Sequence, residues 1–308
     1  MIRRRDGRSR WNFSSTTPCR SMDSTPTHPP SSASLPGAEG LPVTFDLHLP
    51  EGKGPFPVVL IQHGFKGFKD WGFFPWLADR VAASGLAAIR FNTSHNGVGL
   101  GTEASEFTRP ELFARNRPSF ERADLQALLD GIREGRHEIP QVEELDPRRV
   151  GLLGHSRGGY NVLLAGLEPG VRAVVTWASV TSCVPGAEAA RSFQENGYWD
   201  VANARTGQVI RMTREWWDEV HPLPEFLDVR GVLPELGDRL LLVHGDEDTS
   251  VPSSQADELH SLSKGRARKI VVPGADHVFG ARHPFTGPTP QLEQAAQVSI
   301  EHFKSRIL

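Results

Sequence analysis

The chain of 308 residues carries 38% hydrophobic and 23% charged side chains, enough apolar material to bury a core in one large or two small domains, which excludes a fibrous or wholly disordered protein. Its 34 basic and 37 acidic side chains leave a formal charge of −3, so no protein-wide field draws nucleic acid or an anionic membrane, and neither is expected as a partner. No apolar run approaches the roughly 18–20 residues that span a bilayer, and the chain is read as a soluble, cytoplasmic protein.

Residues 1–36 stand apart. Six Arg against two Asp make them basic, and 16 of the 26 residues from Trp11 to Pro36 are Ser, Thr or Pro. Such a segment buries too little apolar surface to offset its ordering entropy, so a disordered tail is expected, with the folded body over residues 37–308. Arg3-Arg4-Arg5 is not followed by the apolar stretch a secretion signal needs, and the internal Met22 permits the alternative expectation that translation begins there.

From residue 41 onward, short apolar runs alternate with helical patterns. Strands are expected over Val43 to Leu49, Pro57 to Gln62, Leu86 to Phe91, Arg149 to Leu153, Ala173 to Ala178, Leu240 to Val243 and Lys269 to Val272. Helices are expected over Phe74 to Ala83, Ser119 to Ile132, Gly158 to Leu167, Ser253 to Leu262 and Gln291 to Lys304. Most of the strands are unbroken hydrophobic runs, as parallel strands covered on both faces are. The alternation predicts an α/β protein with a doubly wound, mostly parallel sheet. Val43 to Leu49 alternates instead and is expected in an antiparallel edge hairpin.

Two intervals break the rhythm. Asn92 to Pro118 is a long Gly-, Asn-, Thr- and Ser-rich connection of the kind that compact domains keep for function. Residues 181–237 hold three of the seven Trp (Trp199, Trp216 and Trp217) and are read as a small cap-like insertion over the carboxyl edge of the sheet. Within it, 208–210 reads as a strand and Thr213 to Val220 as a helix with Thr213 as its cap, ended by Pro222 and Pro224.

Gly154-His155-Ser156-Arg157-Gly158 lies directly after one strand and before a helix. That context makes G-x-S-x-G a nucleophile elbow, a turn so sharp that side chains at the flanking glycines would strike neighbouring backbone. It sets Ser156 at a helix N-terminus, where exposed N–H groups favour developing negative charge. A serine needs a base, and the base needs an acid to fix its tautomer. His244-Gly245-Asp246-Glu247-Asp248 follows one buried strand and Asp276-His277 follows the next, giving Ser, acid and His in chain order. Asp246 and Glu247 remain alternatives to Asp248, and His283 to His277. His155 is assigned to packing, and His63 and His244 to structural hydrogen bonding. The two cysteines, Cys19 and Cys183, form neither a disulfide framework nor a zinc set, the histidines show no ligand spacing, and no metal or cofactor is expected.

Residues 41–308 resemble the serine alpha/beta-hydrolase superfamily, close to its dienelactone-hydrolase-like and feruloyl-esterase-like esterases. The resemblance rests on His63-Gly64-Phe65, the elbow, H-G-x-x-D-x-x-V-P at His244 to Pro252 and G-x-D-H at Gly274 to His277. It implies Ser156 as nucleophile, Asp248 as acid and His277 as base. Dienelactone hydrolase itself uses Cys, so Ser156 favours the esterase side. An oxyanion hole requires two backbone N–H donors. One is expected from Arg157, the residue after the nucleophile, and the resemblance implies the other from Phe65. The Arg157 side chain is left between a surface salt bridge and an acidic substrate group, and the Trp residues between packing and an aromatic substrate group. The expected activity is hydrolysis of small-molecule carboxylic esters through an acyl-enzyme. A prolyl-oligopeptidase-type peptidase, a thioesterase and a non-catalytic small-molecule binder on the same fold are the alternatives.

Overall fold

A computed structural model describes residues 29–100, 106–203 and 207–308, so the expectations for residues 1–28, Cys19 and Met22 included, lie outside the described residues. Eight strands form one sheet: β1 (Ser31–Pro36), β2 (Pro42–His48), β3 (Phe56–Gln62), β4 (Ala87–Phe91), β5 (Leu145–His155), β6 (Val171–Trp177), β9 (Leu240–Gly245) and β10 (Arg268–Val272). Their spatial order is β1-β2-β4-β3-β5-β6-β9-β10. From β4 to β10 all neighbours are parallel, and β2 runs antiparallel to both β1 and β4.

Strand periodicity sorts the core into two layers. Val59, Ile61, Leu153, Val175 and Leu241 face α1 (Phe74–Ala83) and α9 (Pro290–Ile307). Val58, Leu60, Leu152, Val174 and Leu242 face α3 (Pro118–Glu134), α4 (Arg157–Leu164) and α8 (Ser254–Leu262). Because both faces are covered, the strands need apolar residues at every position, which explains the unbroken runs. Gly151 lets α9 approach β5, since a Cβ there would stand 2.7 Å from the Phe303 ring.

Two expectations need correction. The body does not begin at residue 37, because Ser31–Pro36 is the edge strand β1, with Ser31 paired to Leu47 and Pro36 to Pro42. Its Ser- and Pro-rich composition hides it, but Leu35 is buried and Ser32 Oγ donates to Asp46 Oδ1 at 2.6 Å. With β2 it forms the antiparallel edge hairpin expected for Val43 to Leu49, β1 being the outer strand. Secondly, α6 (Arg214–Val220) does start after Thr213, yet the Thr213 side chain does not cap it. Thr213 N and Oγ1 both donate to Ala114 O, at 2.9 and 3.1 Å, on α2 (Pro110–Ala114).

The insertion contains α5 (Ala187–Asn196), the antiparallel pair β7 (Trp199–Ala202) and β8 (Val209–Met212), α6 and α7 (Leu233–Leu236). The Glu219 carboxylate on α6 accepts from Ser119 N at 2.7 Å and Ser119 Oγ at 2.5 Å on α3. The two intervals that break the strand–helix rhythm are thereby joined to each other.

Candidate active site

β5 ends at His155, and Ser156 turns the chain into α4 with φ 56° and ψ −122°, a strained conformation for a non-glycine residue. Its backbone N–H donates to Trp177 O at 2.8 Å. A Cβ on Gly154 would lie 2.1 Å from Gly158 O, and one on Gly158 would lie 2.4 Å from His63 O. Both clashes are with backbone, so the glycines are required by close approach, as the motif predicts. A Cβ on Gly64 would stand 2.8 Å from Ser156 Cβ, so the segment carrying Phe65 passes directly against the serine.

His277 follows β10, and its Nδ1 lies 2.8 Å from Asp248 Oδ2. With Nδ1–H donated to the carboxylate, Nε2 is left as the basic nitrogen. The Asp248 side chain is fully enclosed and also accepts from Ser250 N and Val251 N at 2.9 and 2.8 Å. Burial alone would raise its pKa, but hydrogen bonds from His244 and His277, with Val251 N–H, hold the carboxyl well below its usual range. Asp248, rather than Asp246 or Glu247, is therefore the carboxylate paired with His277. Asp246 accepts from Gly274 N at 2.7 Å instead. His283 accepts from Gly72 N at 3.1 Å and packs edge-on to Phe68, away from that pair.

The other histidines hold the frame. His244 Nε2 donates to Val251 O at 2.8 Å and lies 3.3 Å from Asp248 Oδ2. His63 Nδ1 donates to Gly64 O at 2.9 Å while Nε2 accepts from Thr93 N at 3.4 Å, which fixes one tautomer. His155 packs on Phe73 and Phe74, and its Nε2 donates to the backbone carbonyl of His277 at 2.8 Å. Burial, reinforced by the His277 charge, drives the His155 pKa down to about 3, so this ring is a neutral donor at neutral pH.

The segment after β3 is held by charges that sequence reasoning missed. Lys69 Nζ and Arg90 Nη2 both lie 2.6 Å from Asp46 Oδ2, Arg90 also pairs with Asp70, and Lys69 N donates to Asn92 Oδ1 at 2.7 Å. Asp46 is itself buried, which would raise its pKa, but Arg90 and Lys69 bring it below the ordinary value. Before this anchor, Gly67 N closes a turn on Gly64 O at 3.0 Å, and Lys66 within it has φ 60°.

Ser156 and His277 line one open cavity of about 150 Å³ together with Phe65, Lys66, Trp71 and Phe74. Its aromatic wall therefore comes from residues 65–74, not from the Trp-rich insertion. Trp216 and Trp217 are buried, and Trp216 and Trp199 pack on the Phe65 ring, so packing is their observed role. Arg157 makes no surface salt bridge. Its guanidinium is buried, paired with Glu121 and flanked by the rings of Phe65 and Trp216 at 4.3 and 4.8 Å. Among the described residues no three His, Cys, Asp or Glu side chains are grouped as a metal ion would require, and no helix is long and apolar enough to cross a membrane.

Comparison with known proteins gives the family and the fold. The sequence profile of the alpha/beta hydrolase family matches residues 58–287. The 2,6-dihydropseudooxynicotine hydrolase of Paenarthrobacter nicotinovorans is 27% identical over 271 residues, covering 83% of this chain and 61% of that protein. The chain thus spans about three fifths of that relative's length. Among solved structures, Est1E from Butyrivibrio proteoclasticus with ferulic acid bound superposes with a TM-score of 0.63 at 17% identity, covering 88% of this chain and 98% of Est1E. Dienelactone hydrolase from Anabaena variabilis does so with a TM-score of 0.56 at 19% identity, covering 91% and 100%. These two likenesses are of fold.

Proposed function

Since the chain belongs to the alpha/beta hydrolase family, we propose that it hydrolyses carboxylic esters of small molecules, with Ser156 as nucleophile, His277 as general base and Asp248 as the orienting acid. The observation that carries this reading is the 2.8 Å hydrogen bond from His277 Nδ1 to a fully enclosed Asp248, with the same imidazole and the strained Ser156 lining one cavity.

The chemistry follows from those groups. Ser156 Oγ attacks the ester carbon as His277 Nε2 takes its proton. The carbonyl oxygen becomes an oxyanion, for which the backbone N–H groups of Phe65 and Arg157 are the donors, each worth about 10²–10³ in rate. His277 then gives its proton to the departing alkoxide, leaving an acyl-serine. Water repeats the sequence and releases the acid. Asp248 stays ionised throughout, because its hydrogen bonds favour the charged form, and it stabilises the imidazolium.

The test is hydrolysis of p-nitrophenyl esters of increasing chain length and of methyl cinnamates, with Ser156→Ala beside the wild type and aminoacyl anilides as a counter-screen. Ester turnover that disappears in the variant supports the reading. Anilide turnover exceeding ester turnover replaces it with a peptidase, and ligand retention without turnover replaces it with a binding protein.

A further inference from the structure

The two N–H groups proposed for the oxyanion come from different segments, Phe65 from the turn after β3 and Arg157 from the first turn of α4. Donors on separate segments keep one spacing only if something ties the segments together, and the side chains of the same two residues touch. The Arg157 guanidinium lies 4.3 Å from the centroid of the Phe65 ring and 4.8 Å from that of Trp216, and those two rings meet edge to face at 5.4 Å. Phe113 packs on the Phe65 ring as well, at 5.0 Å. The residue after the serine is thus joined to the other donor residue, and Trp216 and Phe113 bring both irregular intervals to the same contact.

The guanidinium is itself fixed by Glu121 on α3. Arg157 Nε donates to Glu121 Oε2 at 3.1 Å and Nη2 to Oε1, while the carboxylate accepts from Asn161 and Asn116 at 2.6 and 2.7 Å. Burial would raise the Glu121 pKa, but the Arg157 charge and these hydrogen bonds bring it below the ordinary value. Stability gives little reason for a pair so deeply buried on both sides, because apolar residues of similar volume often do as well or better in such places. Arginine differs from lysine in its planar fork, which grips a carboxylate with two donors and stacks on aromatic rings at the same time.

We propose that Glu121 and the Arg157 side chain are positioning residues for the oxyanion hole, holding its two N–H groups at the spacing a tetrahedral intermediate needs by fixing Phe65 against the elbow. This deepens the esterase reading and rests on it.

The experiment measures p-nitrophenyl butyrate hydrolysis by the full-length protein. Competent sites are counted by complete phosphorylation of Ser156 with diethyl p-nitrophenyl phosphate, so that misfolded protein does not enter kcat. Arg157→Met with Glu121→Leu removes both charges and strands neither, so the fold is expected to persist. Its kcat per site is nevertheless expected to fall roughly 10–100-fold, part of what losing a donor outright costs, with KM within about twofold of the wild type. The acid limb of its pH profile, which reports the base, is expected to stay in place. Arg157→Lys keeps a charge beside Glu121 but lacks the planar fork, and its kcat is expected to fall by roughly 3–10-fold; it decides by the same criteria if the double variant does not fold. A kcat per site within about twofold of the wild type, a rise in KM with kcat retained, or a displaced acid limb overturns the inference alone. A wild type that hydrolyses no p-nitrophenyl ester overturns the esterase reading beneath it.

Discussion

Two imidazoles share one carboxylate oxygen: Asp248 Oδ2 lies 2.8 Å from His277 Nδ1 and 3.3 Å from His244 Nε2. His244 is also bound to Val251 O and Asp248 to Val251 N, so the carboxylate is held by its own loop before it meets the base. Asp248→Asn retains this shape but removes the charge and presents an NH₂ group to one of the rings. The expected result is a fall in kcat of about 10³-fold or more with KM little changed, read with p-nitrophenyl esters.

The elbow predicts a stability defect at Gly158. A methyl group there would lie 2.4 and 2.5 Å from the carbonyl oxygens of His63 and Gln62, the strand end from which the Phe65 turn departs. Gly158→Ala should therefore cost about 2 kcal/mol or more in urea unfolding and depress ester turnover in the fraction that folds. Unchanged stability would mean that the first turn of α4 and the end of β3 are farther apart than described.

The buried ion pair calls for paired substitutions. Arg157 and Glu121 are each more than nine-tenths buried, and the Glu121 carboxylate also accepts from Asn161 Nδ2 at 2.6 Å and Asn116 Nδ2 at 2.7 Å. Arg157→Met alone strands a buried carboxylate and should cost about 3–5 kcal/mol, whereas Arg157→Met with Glu121→Leu should recover most of that loss. Chemical denaturation of the four members of the cycle measures the coupling.

His155 makes the fold acid-sensitive. Its folded pKa is depressed from 6.5 to about 3, so below pH 6.5 the unfolded chain binds a proton that the folded protein does not. Its stabilising contribution is present above pH 6.5 and is lost as the pH falls from there toward 3, by about 1.4 kcal/mol per pH unit. In His155→Phe, which retains a ring against Phe73 and Phe74, the slope of unfolding free energy between pH 6 and 4 should fall by about one proton. An unchanged slope would show that this imidazole is not buried in its neutral form.

Much of the layered sheet was legible because strands covered on both faces carry an unambiguous pattern. β3, β4, β6 and β9 needed only their unbroken apolar runs, and the loops after β5, β9 and β10 brought Ser156, Asp248 and His277 into view in chain order. β1 was not legible because it is defined by pairing with β2 and by one buried leucine, neither of which a Ser- and Pro-rich segment announces. The insertion was only partly legible. α5 and β7 are held by distant contacts, such as Phe193 against Trp217 and Trp199 against Phe65. The cavity wall escaped for a related reason. Trp71 and Phe74 line it because Asp46 and Arg90, on two other strands, pin Lys69 and Asp70 between them.

The join between the two irregular intervals bears on how such a protein can be altered. Thr213 grips Ala114 O with two hydrogen bonds, and Glu219 grips Ser119 with two more, so residues 110–119 and 213–219 form one piece of furniture although nearly a hundred residues of chain lie between them. Exchanging one interval for that of a relative would leave the other's polar groups facing strangers. Transplanted together, the two would carry their shared seam with them.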